Sequence, residues 1–255
     1  MRATLLLSCL AMLIWSCEES RTACLDFAAE NYDVGAVNAC DSCCTYPSFS
    51  LNTSIIFDTF DFSYNRYTLL PSGDSIAIQS FELGIFDIKL ENADTSYYVL
   101  NFATADSTLR DNSILYNSRA SSSLSVGETN FSDDVSSISF TLGVDQGSLP
   151  DLDNVLSSSN WNVLKDSLYI DAIPVFNTFK MTYLLNDSIQ HLISSDRQLD
   201  NLSSNIIKFV PPGQDWNLEM VFDFNLLLNG VNGSLTDEEI KALIEDNLSS
   251  LIQFN

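Results

Sequence analysis

From Leu51 onward the chain alternates apolar and polar residues with a period of two, and this pattern limits its fold more than any other feature. Ile76 and Ile78 are followed by Phe81, Leu83 and Ile85, then by Phe86, Ile88 and Leu90. The step from Ile85 to Phe86 reverses the phase, as a bulge or a change of strand would. Ile138, Phe140, Leu142 and Val144 alternate with Ser139, Thr141 and Gly143. Phe179, Met181, Tyr183 and Leu185 alternate with Lys180, Thr182 and Leu184. Leu218, Met220, Phe222, Phe224 and Leu226 continue the same rhythm. Residues two apart share one face of a strand, so each segment presents one face for burial. Pro71-Ser72-Gly73-Asp74, Gly147 and Pro211-Pro212-Gly213 separate the segments with turn chemistry. The expectation is an all-β fold, an antiparallel β-sandwich.

The C-terminus changes period. Ile240, Leu243, Ile244, Leu248, Leu251 and Ile252 recur at helical spacing. Thr236 and Glu239 fit a capping box, and Asp237, Glu238 and Glu239 suit a helix N-terminus. An amphipathic helix over 236–254 is predicted to close the sandwich.

The N-terminus speaks to location. Arg2 precedes an apolar run, Leu5 to Trp15, of the length of a signal-peptide core. The run is too short for a membrane-spanning helix, which needs ~20 apolar residues. Ser16 directly precedes Cys17, an arrangement that resembles the lipobox of bacterial lipoproteins. Residues 1–16 then form a lipoprotein signal peptide, Cys17 is the lipidation site, and residues 17–23 are a tether. Removing 16 of 255 residues leaves 239, enough for one sizeable core. A single lipidated terminus anchors by buried CH₂ groups. Glu18 and Glu19 resemble the surface-export signal of Bacteroidetes lipoproteins. The expectation is an outer-membrane lipoprotein on the periplasmic or cell-surface face, held to the membrane through its lipid. A cell-surface or outer-membrane protein is the expected partner.

The charge balance excludes other partners. Eleven Lys and Arg stand against 34 Asp and Glu, a formal net charge of −23. Such a surface repels phosphate backbones, so nucleic acid is excluded, and anionic head groups are poor partners. The acid is dispersed among 45% hydrophobic residues, which fits a folded body with a solvated acidic surface.

Cys9 leaves with the signal peptide. Cys24, Cys40, Cys43 and Cys44 fall within 21 residues, and no cysteine follows. An even number in an exported chain reads as two disulfides. Three pairings exist, and the one joining adjacent Cys43 and Cys44 needs a strained ring. Zinc is the rival, but adjacent thiolates suit a tetrahedral site poorly. The unit 24–47 is rich in turns and poor in bulky apolar residues, so it needs covalent staples. It resembles the small cysteine modules that follow the anchor in Bacteroidetes lipoproteins, through Cys24, Asp26, Ala29, Asn31, Tyr32 and Asp33. A spacer role is expected.

The order of elements over residues 48–255 resembles the MbnP-like domain family. FDTFDF from Phe57, then Gly73-Asp74-Ser75-Ile76, then SFELGIFDIKL carry the start of that likeness. ISFTLGVD follows, with Phe140, Gly143, Val144 and Asp145 in the family's I-x-F-x-[IL]-G-V-D pattern. Trp161-Asn162 and Tyr169-Ile170 sit where the family has a Trp-rich segment, and LEMVFDFNLLLNG resembles its final strand. The resemblance implies copper binding or copper uptake, with His191 as the matching metal ligand. Asp58 and Asp61 stand where the family often has a histidine after the phenylalanine. Copper favours imidazole and thioether ligands, and here His191, Met181 and Met220 are the candidates. Met181 and Met220 fall on alternating apolar faces, where methionine fills core.

Catalysis has little support in the sequence. No HExxH, GxSxG, P-loop or GxGxxG pattern occurs. Paired carboxylates could serve a glycan-active surface enzyme, but no pair stands out among so many acids. The expectation is a non-catalytic binding or scaffold lipoprotein, with copper binding as the alternative.

Overall fold

The structure, a computed structural model, describes residues 20–57, 60–118, 122–172, 174–186 and 190–254. The signal peptide, Cys17 and Asp58 lie outside the described residues. Ten strands and three helices position the site. They are β1 Ser48–Phe57, β2 Ser75–Glu91, β3 Ile114–Asn117, β4 Ser123–Glu128 and β5 Asp134–Leu142. After them come α1 Asn160–Leu168, β6 Phe179–Leu185, β7 Gln190–Ser195, β8 Leu199–Phe209 and β9 Trp216–Asp223. The chain closes with α2 Phe224–Leu227, α3 Asp237–Leu251 and β10 Ile252–Phe254.

The strands form two main sheets. One runs β7-β6-β2-β5-β8, with β3 also paired to β2. The other runs β10-β9-β1, with β4 also paired to β1. The pairs are antiparallel except β1 with β9, which run parallel in register from Phe49 opposite Trp216 to Ile56 opposite Asp223. The alternating apolar residues of both sheets meet in one core: Phe81, Leu83 and Ile85 from β2, Phe222 and Met220 from β9, and Phe49 and Leu51 from β1. This is the sandwich the alternation implies.

The long strand β2 exchanges partners part-way. Ile76–Leu83 pair with β6, and Ile85–Glu91 pair with β5. Gly84 stands at the exchange, donating to the Thr178 carbonyl and accepting from Gly143 N–H. A Cβ on Gly84 would meet the Phe86 ring at 2.5 Å and Leu168 at 3.0 Å, so glycine lets α1 approach the sheet closely. The phase reversal at Ile85–Phe86 has a clear cause. Asp87 and Ile88 together oppose Phe140, a bulge that carries Ile88 and Leu90 back to the central core. Phe86 faces the other way, into a second cluster with Trp161, Leu164, Leu168 and Phe176. Here β2 is buried on both faces.

Helix α1 was not foreseen from the sequence. Its nine residues carry only three buried positions, Trp161, Leu164 and Leu168, too short a pattern to stand out. Two boundaries also shift. The rhythm through Leu226 breaks earlier, because the Asp223 carboxylate accepts from Asn225 and Leu226 N–H and starts α2. The closing helix keeps its capping box but ends at Leu251, and Ile252–Phe254 pair with β9 as a strand instead of continuing it.

The cysteine unit is stapled by Cys24–Cys44, spanning 20 residues. Closing a loop of that size is worth about 3 kcal/mol. This bridge rules out the adjacent Cys43–Cys44 pairing. Cys40 and Cys43 share one short turn, with the Cys43 sulfur 3.0 Å from the Cys40 carbonyl oxygen. The expected second bridge joins them. Alkylation of exported, denatured protein without reductant should label none of the four cysteines; labelling of Cys40 and Cys43 would limit the unit to one staple.

Four surface carboxylates are held below the ordinary range, among them Asp106, which the Thr104 and Thr108 hydroxyls hold down. Glu239 is held down by the N–H and hydroxyl of Thr236, and Asp74 by Gly233 N–H, Asn186 and Ser72. Asp133 is held down by the Tyr97 hydroxyl and Asp134 N–H. A depressed folded pKa stabilises above the unfolded value, and that contribution is lost as pH falls through the folded one. Stability should therefore drop on acidification below about pH 4. Glu239→Gln should make the loss shallower in urea titrations repeated across that range, and an unchanged slope would contradict this origin.

Candidate functional site

Two bulges on the strands that flank β5 open a cleft of about 510 Å³ beside α1. The first is Asp87–Ile88 on β2. The second is on β8, where Asp200 and Asn201 together oppose Thr141. Asp87 and Asn201 both hold left-handed backbone, at φ 51° and 54°. Non-glycine residues adopt that region at a cost, and such positions concentrate where a side chain must be re-aimed. Asp87, Thr141, Asp200 and Asn201 all line the cleft, with Trp161, Phe86 and Val144 as its apolar wall.

The wall beside α1 is firmly held. The Asp111 carboxylate accepts from the backbone N–H of Asn160 at 3.0 Å and Trp161 at 3.2 Å, the first turn of α1. Burial pushes the Asp111 carboxyl up, and those two N–H groups pull partly against it. Trp161 Nε1 donates to the Arg110 carbonyl at 3.1 Å, and its ring packs on Phe86 and Phe176. The Arg110 guanidinium lies over the Tyr98 and Phe102 rings and donates to the Val99 carbonyl. Asp87 accepts from Asn112 and pairs with Lys89 at 2.5 Å, an interaction that holds the Lys89 ammonium up.

One polar group in the wall has no partner. Ser113 is 1% exposed, and its Oγ makes no hydrogen bond. Leaving a buried hydroxyl unsatisfied costs about 1–3 kcal/mol. A bound molecule with a donor or acceptor would remove that cost. The sequence signal for this cleft was the phase reversal at Ile85–Phe86; nothing in the sequence marks Ser113.

His191 lies elsewhere, on β7 opposite Tyr183. Its Nδ1 is 2.7 Å from Asp237 Oδ1, and the Tyr183 hydroxyl donates to the same oxygen at 3.0 Å. The two rings stack at 5.0 Å. Burial, then Asp237, raises the Tyr183 phenol. Asp237 opens α3, so this trio ties the edge strand to the helix N-terminus. Met181 and Met220 are both fully buried in the central core, Met220 on the other sheet from His191. The donors His191, Met181 and Met220 are thus not assembled for a soft metal. Among the described residues no group of three or more His, Cys, Asp or Glu side chains is placed to hold a metal ion. No helix of the described residues is long and apolar enough to cross a membrane.

No protein-family model matches the chain, and no curated protein matches it. Among solved structures, MbnP from Methylosinus trichosporium is similar with a TM-score of 0.47 and 7% identity, over 74% of this chain and 79% of that one. The functional reading therefore rests on this chain's own residues.

Proposed function

We propose that this is an exported, lipid-anchored binding protein that performs no catalysis, with the bulged cleft as its ligand seat. The observation that carries the reading is the buried, unpartnered Ser113 hydroxyl in a cleft where Asp87, Arg110 and Asn112 are held in place by protein partners. The volume falls in the ~300–1,000 Å³ range of small-molecule sites, and the mixture of an aromatic wall with a few fixed polar groups suits binding. The acidic chain and the carboxylates Asp87, Asp145 and Asp200 at the cleft disfavour anionic ligands.

The anchor and the seat are tested separately. Cys17→Ala should move the protein out of the membrane fraction or leave its signal uncleaved; normal processing with full membrane retention would sink the anchor. For the seat, Trp161 is a built-in reporter. Small neutral and cationic solutes should be screened by Trp161 emission and melting temperature, with chromatography of each solute afterwards. A ligand should raise the melting temperature and emerge unchanged. Turnover of the solute, or binding untouched by Ser113→Ala, would count against the reading.

A further inference from the structure

The strand β2 carries another bulge, on its other partner. Thr182 of β6 opposes Ser80 and the next residue, Tyr183, opposes Ile78, so Gln79 is the extra residue. A cleft of about 420 Å³ opens there. Tyr64, Asn65, Gln79, Ser118, Thr182 and Gln190 supply most of its wall, and every described side chain lining it is uncharged.

Two buried oxygens in this wall make no hydrogen bond, Gln79 Oε1 and Ser118 Oγ. The Ser118 backbone is fixed, its N–H donating to the Phe81 carbonyl at 3.0 Å. Asn65 is fixed likewise, its N–H donating to the Ile78 carbonyl at 2.8 Å. The Tyr64 hydroxyl shares a 2.8 Å hydrogen bond with Tyr116. Burial raises the Tyr64 phenol far above the ordinary value, so it stays neutral.

The chemistry of this wall excludes most ligands. Among the described residues an anion finds no cation on it, and a cation finds no carboxylate, although the whole chain carries −23. An apolar ligand would strip water from hydroxyls and carboxamides without replacing it. A molecule bearing several neutral hydroxyls matches instead. It donates to the Gln79 carboxamide oxygen and bonds the Ser118 hydroxyl while reaching Thr182 or Gln190 with neighbouring groups.

We propose that this second cleft, at the Gln79 bulge, binds a neutral saccharide or similar uncharged polyol. It is independent of the bulged cleft beside α1 and of the anchor.

The test is saturation-transfer NMR on the mature chain with methyl glucoside, methyl N-acetylglucosaminide and cellobiose as probes. Glucuronate and glucosamine serve as charged counterparts. Neutral sugar protons should receive saturation, and the charged counterparts should receive much less. Gln79→Ala and Ser118→Ala should each weaken binding about tenfold with melting unchanged. Ile207→Ala, at a fully exposed position, should bind as the wild type does. If Gln79→Ala melts early, Ser118→Ala, which removes a single oxygen, carries the same reading. No saturation of any neutral sugar, equal binding of the charged analogues, or full binding by Ser118→Ala would each overturn the proposal and leave a water-filled cleft.

Discussion

Replacing Phe81 by alanine should cost about 3–5 kcal/mol of folding free energy. The ring is fully buried and joins the two halves of the molecule. From β2 it meets Tyr116 and Phe179 of its own sheet, at 6.2 and 6.3 Å between centroids. It also meets Phe224 at 5.4 Å, the first residue of the short helix that follows β9. Loss of the ring removes transfer free energy and leaves a cavity between rigid sheets, which cannot collapse to fill it. The urea midpoint should fall while the slope of the transition stays constant, as for a change in stability alone. Ile207→Ala, on the edge strand β8, should stay within about 0.5 kcal/mol of the wild type. A Phe81→Ala cost below 1 kcal/mol would mean that the sheets do not pack through this ring.

The sandwich was legible because its cause is local. Two-residue alternation fixes which face of β5, β6 and β9 is buried, and those faces meet in the core as expected. The capping box at Thr236 was legible for the same reason, since its two hydrogen bonds lie within four residues. Helix α1 was hidden because its stability is tertiary. Ser159 supplies a local cap, but Asp111, far back in the chain, also accepts from the first turn, and Trp161 bonds the Arg110 carbonyl. The end of α3 was hidden for a related reason. Ile252 and Phe254 continue an apolar pattern that both a helix and a strand satisfy, and the open edge of β9 decides it.

The clefts were legible only in part. The phase reversal near Phe86 announced a bulge in β2, but the matching bulge at Asp200–Asn201 lies in β8, where polar residues blur the alternation. The Gln79 bulge leaves the same kind of mark, since the step of three from Ile78 to Phe81 also reverses the phase of the alternation. Unpartnered oxygens on Ser113, Gln79 and Ser118 are properties of packing and have no sequence signature. His191 shows the reverse case. As the one histidine it drew attention, and the fold gives it a joint between strand and helix through Asp237.

Gly143→Ala should destabilise the protein by about 2–4 kcal/mol and distort the cleft beside α1. Two costs combine. The backbone at Gly143 has φ 77°, a region an L side chain enters only with strain. A Cβ there would also fall 2.2 Å from Thr178 Oγ1 and 3.1 Å from Thr178 Cβ. Thr178 cannot swing aside cheaply, because it is fully buried and its hydroxyl donates to the Arg197 carbonyl at 2.6 Å. Relief must come from the backbone, and overpacking of this kind costs about 1–3 kcal/mol beyond the torsional strain. Gly143, Val144 and Asp145 line the cleft, so a shift there should also move the Trp161 emission maximum. Thr178→Ala in the same chain separates the two costs. It removes the closest contact, so the double variant should lose less stability than the two single losses added together. Strict additivity would assign the whole effect to the left-handed backbone and remove Thr178 from the explanation.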